Sequence, residues 1–130
     1  MKKAPTVVLA KPGLDGHDKG IRLVAMALRD AGFDVQYLGL RQSVEGIVSA
    51  AKEKQADFIG QSILSGTHLD VARKMLAQME KEGLTCQLFI GGVIPKADAE
   101  ELKKMGVSQV FPVGTTFPSM IEWMTGSLEG

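Results

Sequence analysis

Cysteine is nearly absent: Cys86 stands alone in 130 residues. One thiol cannot build a disulfide framework within a chain, so a reducing compartment, the cytoplasm, is expected. Aromatic residues are also scarce, at 5%, too few for a platform that stacks nucleic-acid bases. Neither sign of charge is in excess, with 15 Lys plus Arg against 15 Asp plus Glu. That balance removes the basic footprint of a nucleic-acid binder and the acidic run of a solvated tail. Long hydrophobic runs are missing too. The apolar stretch behind the amino-terminal lysines, Val7-Val8-Leu9-Ala10, is too short for a signal-peptide core. Nothing approaches the roughly 18 apolar residues of a membrane span. No nucleic-acid or membrane partner is expected.

What is present is a regular alternation of two hydrophobic periods. "TVVLA" (6–10) is short, β-branched and apolar on both sides, as a strand covered on two faces should be. Behind it, Ile21, Val24, Ala25, Leu28 and Ala31 recur at helical spacing, and Gly32 supplies a stop. "DVQYLGL" (34–40) reads as a second strand. Ser43 is placed to cap the next helix, with Ile47, Val48 and Ala51 on its buried side. "DFIGQSIL" (57–64) is a third strand. Thr67 and Asp70 form an N-cap signature for a helix carrying Val71, Met75, Leu76 and Met79 and stopping at Gly83. "CQLFIGG" (86–92) is the fourth strand, and Pro95 starts a helix that ends at Gly106. "VSQVFPV" (107–113) is the fifth, followed by a helix that Thr116 and Pro118 open and that contains Ile121 and Met124.

Five β-α repeats without a linker predict one α/β domain over residues 1–130. The expected fold is a flavodoxin-like, doubly wound, five-stranded parallel sheet of order 2-1-3-4-5. Ligands of such sheets bind outside the carboxyl ends of the strands. The segments there are "KPGLDGHDKG", "SILSGTH", "GGVIP" and "PVGTTFP", all rich in Gly, Ser or Thr. The opposite edge receives plain polar connectors.

The loop at 11–20 holds three glycines, two lysines, two aspartates, a proline and a histidine. It is not a phosphate loop of known type, because neither GxxxxGK[ST] nor GxGxxG occurs. An aspartyl phosphoacceptor domain shares this fold, but its third strand should end in aspartate, and here it ends Ser62-Ile63-Leu64. Taken alone, His17 reads as a solvated or helix-capping loop histidine. Its position two residues after Asp15 allows another role, since a metal-bound imidazole commonly donates its second N–H to a carboxylate. One histidine cannot make a zinc site, which needs three or four protein ligands. His68 falls in the first turn of a helix, and Cys86 opens a strand at the wrong edge, so both read as structural. A lone histidine ligand fits a metal whose other positions are filled by a macrocycle.

Asp15-Gly16-His17-Asp18-Lys19-Gly20 matches DxHxxG. Together with Ser62-Ile63-Leu64 as SxL and Gly91-Gly92 as GG, it resembles the motif set of cobalamin-binding domains. The 41 residues between Gly20 and Ser62 and the 26 between Leu64 and Gly91 suit that family. The resemblance covers nearly the whole chain. Within it, "AKPGLDGHDKG", "SILSGTH" and "GGVIP" look most similar to the acyl-CoA mutases acting on methylmalonyl-, isobutyryl- or 2-hydroxyisobutyryl-CoA, some of which keep this domain on a separate small subunit.

The resemblance implies adenosylcobalamin bound base-off, with His17 as the axial cobalt ligand. Asp15 would orient His17, and Lys11 would pair with Asp15. Gly16 and Asp18 would shape the loop beside the corrin, with a solvated helix start the plain alternative for Asp18 and Lys19. Gly20 closes the motif. Ser62 and Leu64 would contact the displaced nucleotide tail, Gly91 and Gly92 would admit its ribose and phosphate, and Gly114 and Thr115 would close on its benzimidazole. Small residues are expected to line the tail's path. Residues 12–20 are expected to be mobile before cobalamin arrives. No catalytic residue beyond cofactor positioning is expected here. The substrate would lie on a large acyl-CoA-binding subunit, in a heterotetramer of two small and two large chains. The competing reading is a corrinoid carrier for a methyltransferase or sensor. Methyltransferase modules carry a helical cap ahead of this fold, for which about five residues before the first strand leave no room.

Overall fold

The computed structural model describes residues 4–12, 19–62, 68–92, 94–112 and 114–129. Five strands alternate with five helices. They are β1 (Thr6–Pro12), α1 (Lys19–Asp30), β2 (Asp34–Gln42), α2 (Val44–Lys54), β3 (Phe58–Ser62), α3 (His68–Lys81), β4 (Gln87–Gly92), α4 (Lys96–Met105), β5 (Gln109–Pro112) and α5 (Phe117–Glu129). All pairings are parallel, and the strand order is β2-β1-β3-β4-β5. The expected fold class and order are borne out.

The two faces of the sheet carry separate cores. Alternation along β1 sends Val8 and Ala10 to one side and Val7 and Leu9 to the other. The first side packs on α2, α3 and α4 through Ile47, Val48, Ala72, Met75 and Leu102. The second packs on α1 and α5 through Ile21, Ala25, Leu28, Met120 and Met124. Coverage on both faces is why residues 7–10 form an unbroken apolar run, each at most 1% exposed.

Local signals set the helix ends. Ser43 Oγ accepts from the Gly46 N–H at 3.0 Å, which caps α2 as the sequence predicts. Thr116 Oγ1 accepts from the Ser119 N–H at 3.2 Å at the start of α5. Pro95 is the N-cap of α4, and Gly106 closes it. One expectation fails: Ala31, read as continuing the helical spacing of α1, lies past the helix and is exposed. The helix ends at Asp30, and Phe33, beyond the turn, fills the core at 8% exposure instead.

β1 and β2 are not in simple register. Leu9 pairs with Tyr37, Ala10 with Gly39 and Pro12 with Gln42, so β2 gains one residue at each of two slips. Gly39, at φ +95°, occupies the first slip, where a left-handed residue is required. Both slips lie toward the carboxyl edge, where bulges commonly serve to redirect a chain near a site.

Candidate functional site

A cavity of about 600 Å³ opens at the carboxyl edge, between the sheet and helices α1 and α5. Leu9, Gly60, Phe89 and Phe111 form its sheet side. Ile21 and Val24 reach it from α1, and Met120 from α5. At the strand ends stand Ser62, Gly92 and Pro112, and Leu23 and Phe117 are half-exposed on the helix side. No titratable side chain lines the cavity among the described residues.

The space above the sheet depends on Gly60. A Cβ there would lie 2.4 Å from Phe89 Cζ and 2.6 Å from Leu9 Cδ2, closer than real Cβ contacts come. Phe89 therefore lies across the Gly60 backbone, and its ring makes the floor. Three further rings hold it edge-on: Phe58, Phe111 and Trp123, with centroids 6.3, 5.7 and 6.1 Å away. At the mouth, Gly114 has φ +99°, a conformation that side-chain-bearing residues adopt only with strain. Thr115 Oγ1 donates to the Pro112 carbonyl at 2.7 Å, which fixes this turn.

Lys11 is fully buried. Its Nζ donates to the Ser62 carbonyl at 3.1 Å, tying the end of β1 to the end of β3. Gln61, beside Ser62, is 3% exposed, and neither its Nε2 nor its Oε1 has a partner among the described residues. Such an orphaned amide is costly and calls for an explanation.

Of the residues proposed from the sequence as cofactor contacts, Gly20, Ser62, Gly91, Gly92, Gly114 and Thr115 all line this one cavity. Asp15, Gly16, His17, Asp18 and Leu64 lie outside the described residues, as does most of the 12–20 segment expected to be mobile. Cys86 lies just before β4, at the far edge, and burial pushes its thiol above the ordinary value. Among the described residues no cluster of three or more His, Cys, Asp or Glu could hold a metal ion. Among the same residues no helix is long and apolar enough to cross a membrane.

Small residues line the cavity at Gly20, Gly60, Ser62, Gly91, Gly92, Gly114 and Thr115, alongside larger apolar ones. Bulky side chains (Leu9, Ile21, Val24, Phe89, Phe111, Met120) make most of the wall. Room on the sheet side comes from two of the glycines, Gly60 and Gly91. Sequence reasoning singled out neither Gly60 nor the aromatic floor. That Gly60 and Gly91 share a face with Phe89 and Phe111 follows from the strand register and not from any local signal.

The cavity suits the buried end of a cobalamin tail in volume, in its apolar depth and in its glycine-rich mouth. The family model for the B12 binding domain matches residues 5–120. The chain is 43% identical over 117 residues to the 2-hydroxyisobutanoyl-CoA mutase small subunit of Aquincola tertiaricarbonis, covering 89% of this chain and 86% of that one. It is also 43% identical over 104 residues, 80% of this chain, to an ethylmalonyl-CoA mutase of Cereibacter sphaeroides, of whose length it spans 16%. In structure it is similar to a cobalamin-binding protein from Desulfitobacterium hafniense DCB-2, with a TM-score of 0.81 and 27% identity, over 95% of this chain and 59% of the other. From sequence, fold and cavity alike, the chain belongs to the B12-binding domain family.

Proposed function

We propose that this chain is the cobalamin-binding small subunit of a heteromeric acyl-CoA mutase. The observation that carries the reading is the apolar cavity whose mouth gathers Gly20, Ser62, Gly91, Gly92, Gly114 and Thr115. Its similarity to a mutase small subunit over most of both chains supports the subunit role. In this reading the cofactor is adenosylcobalamin, bound base-off, with its nucleotide tail in the cavity and His17 as the protein ligand to cobalt. Asp15 accepts from His17 and fixes its orientation, and Lys11 pairs with Asp15. Lys11 is suited to that place, because its buried Nζ already ties β1 to the Ser62 carbonyl. Ser62 and Leu64 hold the tail, and Gly91, Gly92, Gly114 and Thr115 close on its phosphate, ribose and base. Gly16, Asp18 and Gly20 carry the loop beside the corrin.

When bound, the cofactor supplies the radical chemistry of a carbon-skeleton isomerisation. The chain itself binds and orients it and keeps water from the tail. The substrate, a short branched acyl-CoA such as the 2-hydroxyisobutyryl, isobutyryl or methylmalonyl ester, belongs to a large partner subunit. The assembly is two small and two large chains in the cytoplasm.

The isolated chain should bind adenosylcobalamin with a base-off absorbance change and turn over no acyl-CoA. Adding the large subunit should give isomerisation. Turnover by the chain alone, or capture of a methyltransferase rather than an acyl-CoA-binding partner, refutes the subunit assignment. For the cobalt ligand, His17→Ala should remove the protein nitrogen splitting from the cobalt(II) EPR spectrum of the bound cofactor. An unchanged splitting would take His17 out of that role.

A further inference from the structure

We infer that the outward face of α1 docks a second copy of this chain, helix against antiparallel helix, with Met26 at the centre and Arg22 of each copy facing Asp30 of the other.

Among the described residues three large apolar side chains are exposed: Met26 at 58%, Leu23 at 44% and Phe117 at 38%. They share one side of the sheet. Leu23 and Met26 are three residues apart on α1, and Phe117, at the start of α5, lines the same cavity mouth as Leu23. Helix α1 turns Ile21, Ala25 and Leu28 to the sheet. At about 100° per residue, Met26 points away from that stripe, into the polar half of the helix. A lone exposed methionine needs no explanation. One that continues a patch through Leu23 to Phe117, in the middle of a helix's wet face, does.

The charges around Met26 say what covers it. On the helical wheel Arg22 stands about 40° to one side of it and Asp30 about 40° to the other, each about 6 Å away along the axis. A twofold axis through Met26 therefore lays Arg22 on the second copy's Asp30 and Asp30 on its Arg22. Leu23 falls opposite Arg29, whose aliphatic stem covers it. The helix ends favour the same arrangement. Asp30 is the last residue of α1, where a carboxylate meets the negative end of the helix, and the first turn of α1 has no acidic residue. Antiparallel docking moves each Asp30 toward the positive end of the other α1. Arg22 is already engaged within its own chain, and a guanidinium with five donors has room for a second carboxylate. The face is thus complementary to itself, as a twofold interface must be. A pair of 12-residue helices buries less than the roughly 800 Å² per partner of a stable complex, so the dimer is weak, with a Kd on the order of 100 µM.

Sedimentation equilibrium of the whole cofactor-free chain at low salt, to about 1 mM, is the test. The wild type is expected to dimerise, and added salt to weaken the dimer. Arg22→Asp and Asp30→Arg each set like charges against one another at both contacts. Each variant alone should dimerise at least about tenfold more weakly. An equimolar mixture of the two should associate again, because the mixed pair has opposite charges at both contacts, and the double variant Arg22→Asp/Asp30→Arg should recover as well. Met26→Lys should abolish association. A wild type that stays monomeric overturns the inference, and so does failure of both the mixture and the double variant to recover. A monomeric wild type whose Met26→Lys variant loses affinity for a large mutase subunit would assign this face to that subunit, which also overturns it.

Discussion

Gly60→Ala is expected to lower the stability of the cofactor-free protein by about 1–3 kcal/mol and to weaken cobalamin binding about tenfold or more. The new methyl would start 2.4 Å from Phe89 Cζ, 2.5 Å from Cε2 and 2.6 Å from Leu9 Cδ2. Leu9, 1% exposed and held in the strand that pairs with β3, borders the cavity and has no other open side. Phe89 is flanked by Phe58, Phe111 and Trp123. Its open side is the cavity of about 600 Å³. The ring therefore yields into the space that the tail requires. Part of the cost appears as lost packing in the free protein, and the rest appears when the ligand must push the ring back. Chemical denaturation reads the first part and a binding titration the second. If both midpoint and affinity match the wild type, Gly60 is an ordinary strand residue and the floor is not built as described.

Much of the fold was legible because each element announces itself in a short window. Val7–Ala10 are apolar on both sides, Ser43 caps α2, Gly106 stops α4, and no connection runs long enough to hide an extra element. These signals are local, and they place the carboxyl edge from the sequence alone. The cavity behind that edge was not legible, because it follows from a cross-strand relation. Gly60 and Phe89 are partners in the β3–β4 ladder, and only that register puts a ring over a missing side chain. For the same reason Gly60 was not singled out among the small residues that make room. The β1–β2 slips were equally invisible, since nothing in "DVQYLGL" states where its partner strand skips a residue. Ala31 failed for a simpler cause: it continues the helical period one step past the helix end. The mouth residues were read in advance by resemblance, and the cavity's position makes six of them neighbours.

Gln61→Leu is expected to stabilise the cofactor-free protein by about 1–3 kcal/mol, a rise of roughly 4–11 °C in melting temperature for a chain of this size. Gln61 is 3% exposed, and both ends of its amide are without partners among the described residues. Its ladder neighbours, Ala10 on β1 and Ile90 on β4, belong to the apolar core on the α2, α3 and α4 side. Leucine keeps the length and approximate volume, removes two buried polar atoms, and leaves no donor or acceptor stranded, because no described group was relying on them. A stability cost held in place beside Ser62, at the carboxyl edge, is the kind of local conflict that folds retain near a site. That gives the prediction a second half. If the amide acquires a partner when the cofactor and its loops are in place, the gain in the free protein shrinks or reverses in the loaded one. Unfolding both states of wild type and Gln61→Leu separates the cases, and a lowered or unchanged midpoint in the free protein would show that the amide is already satisfied there.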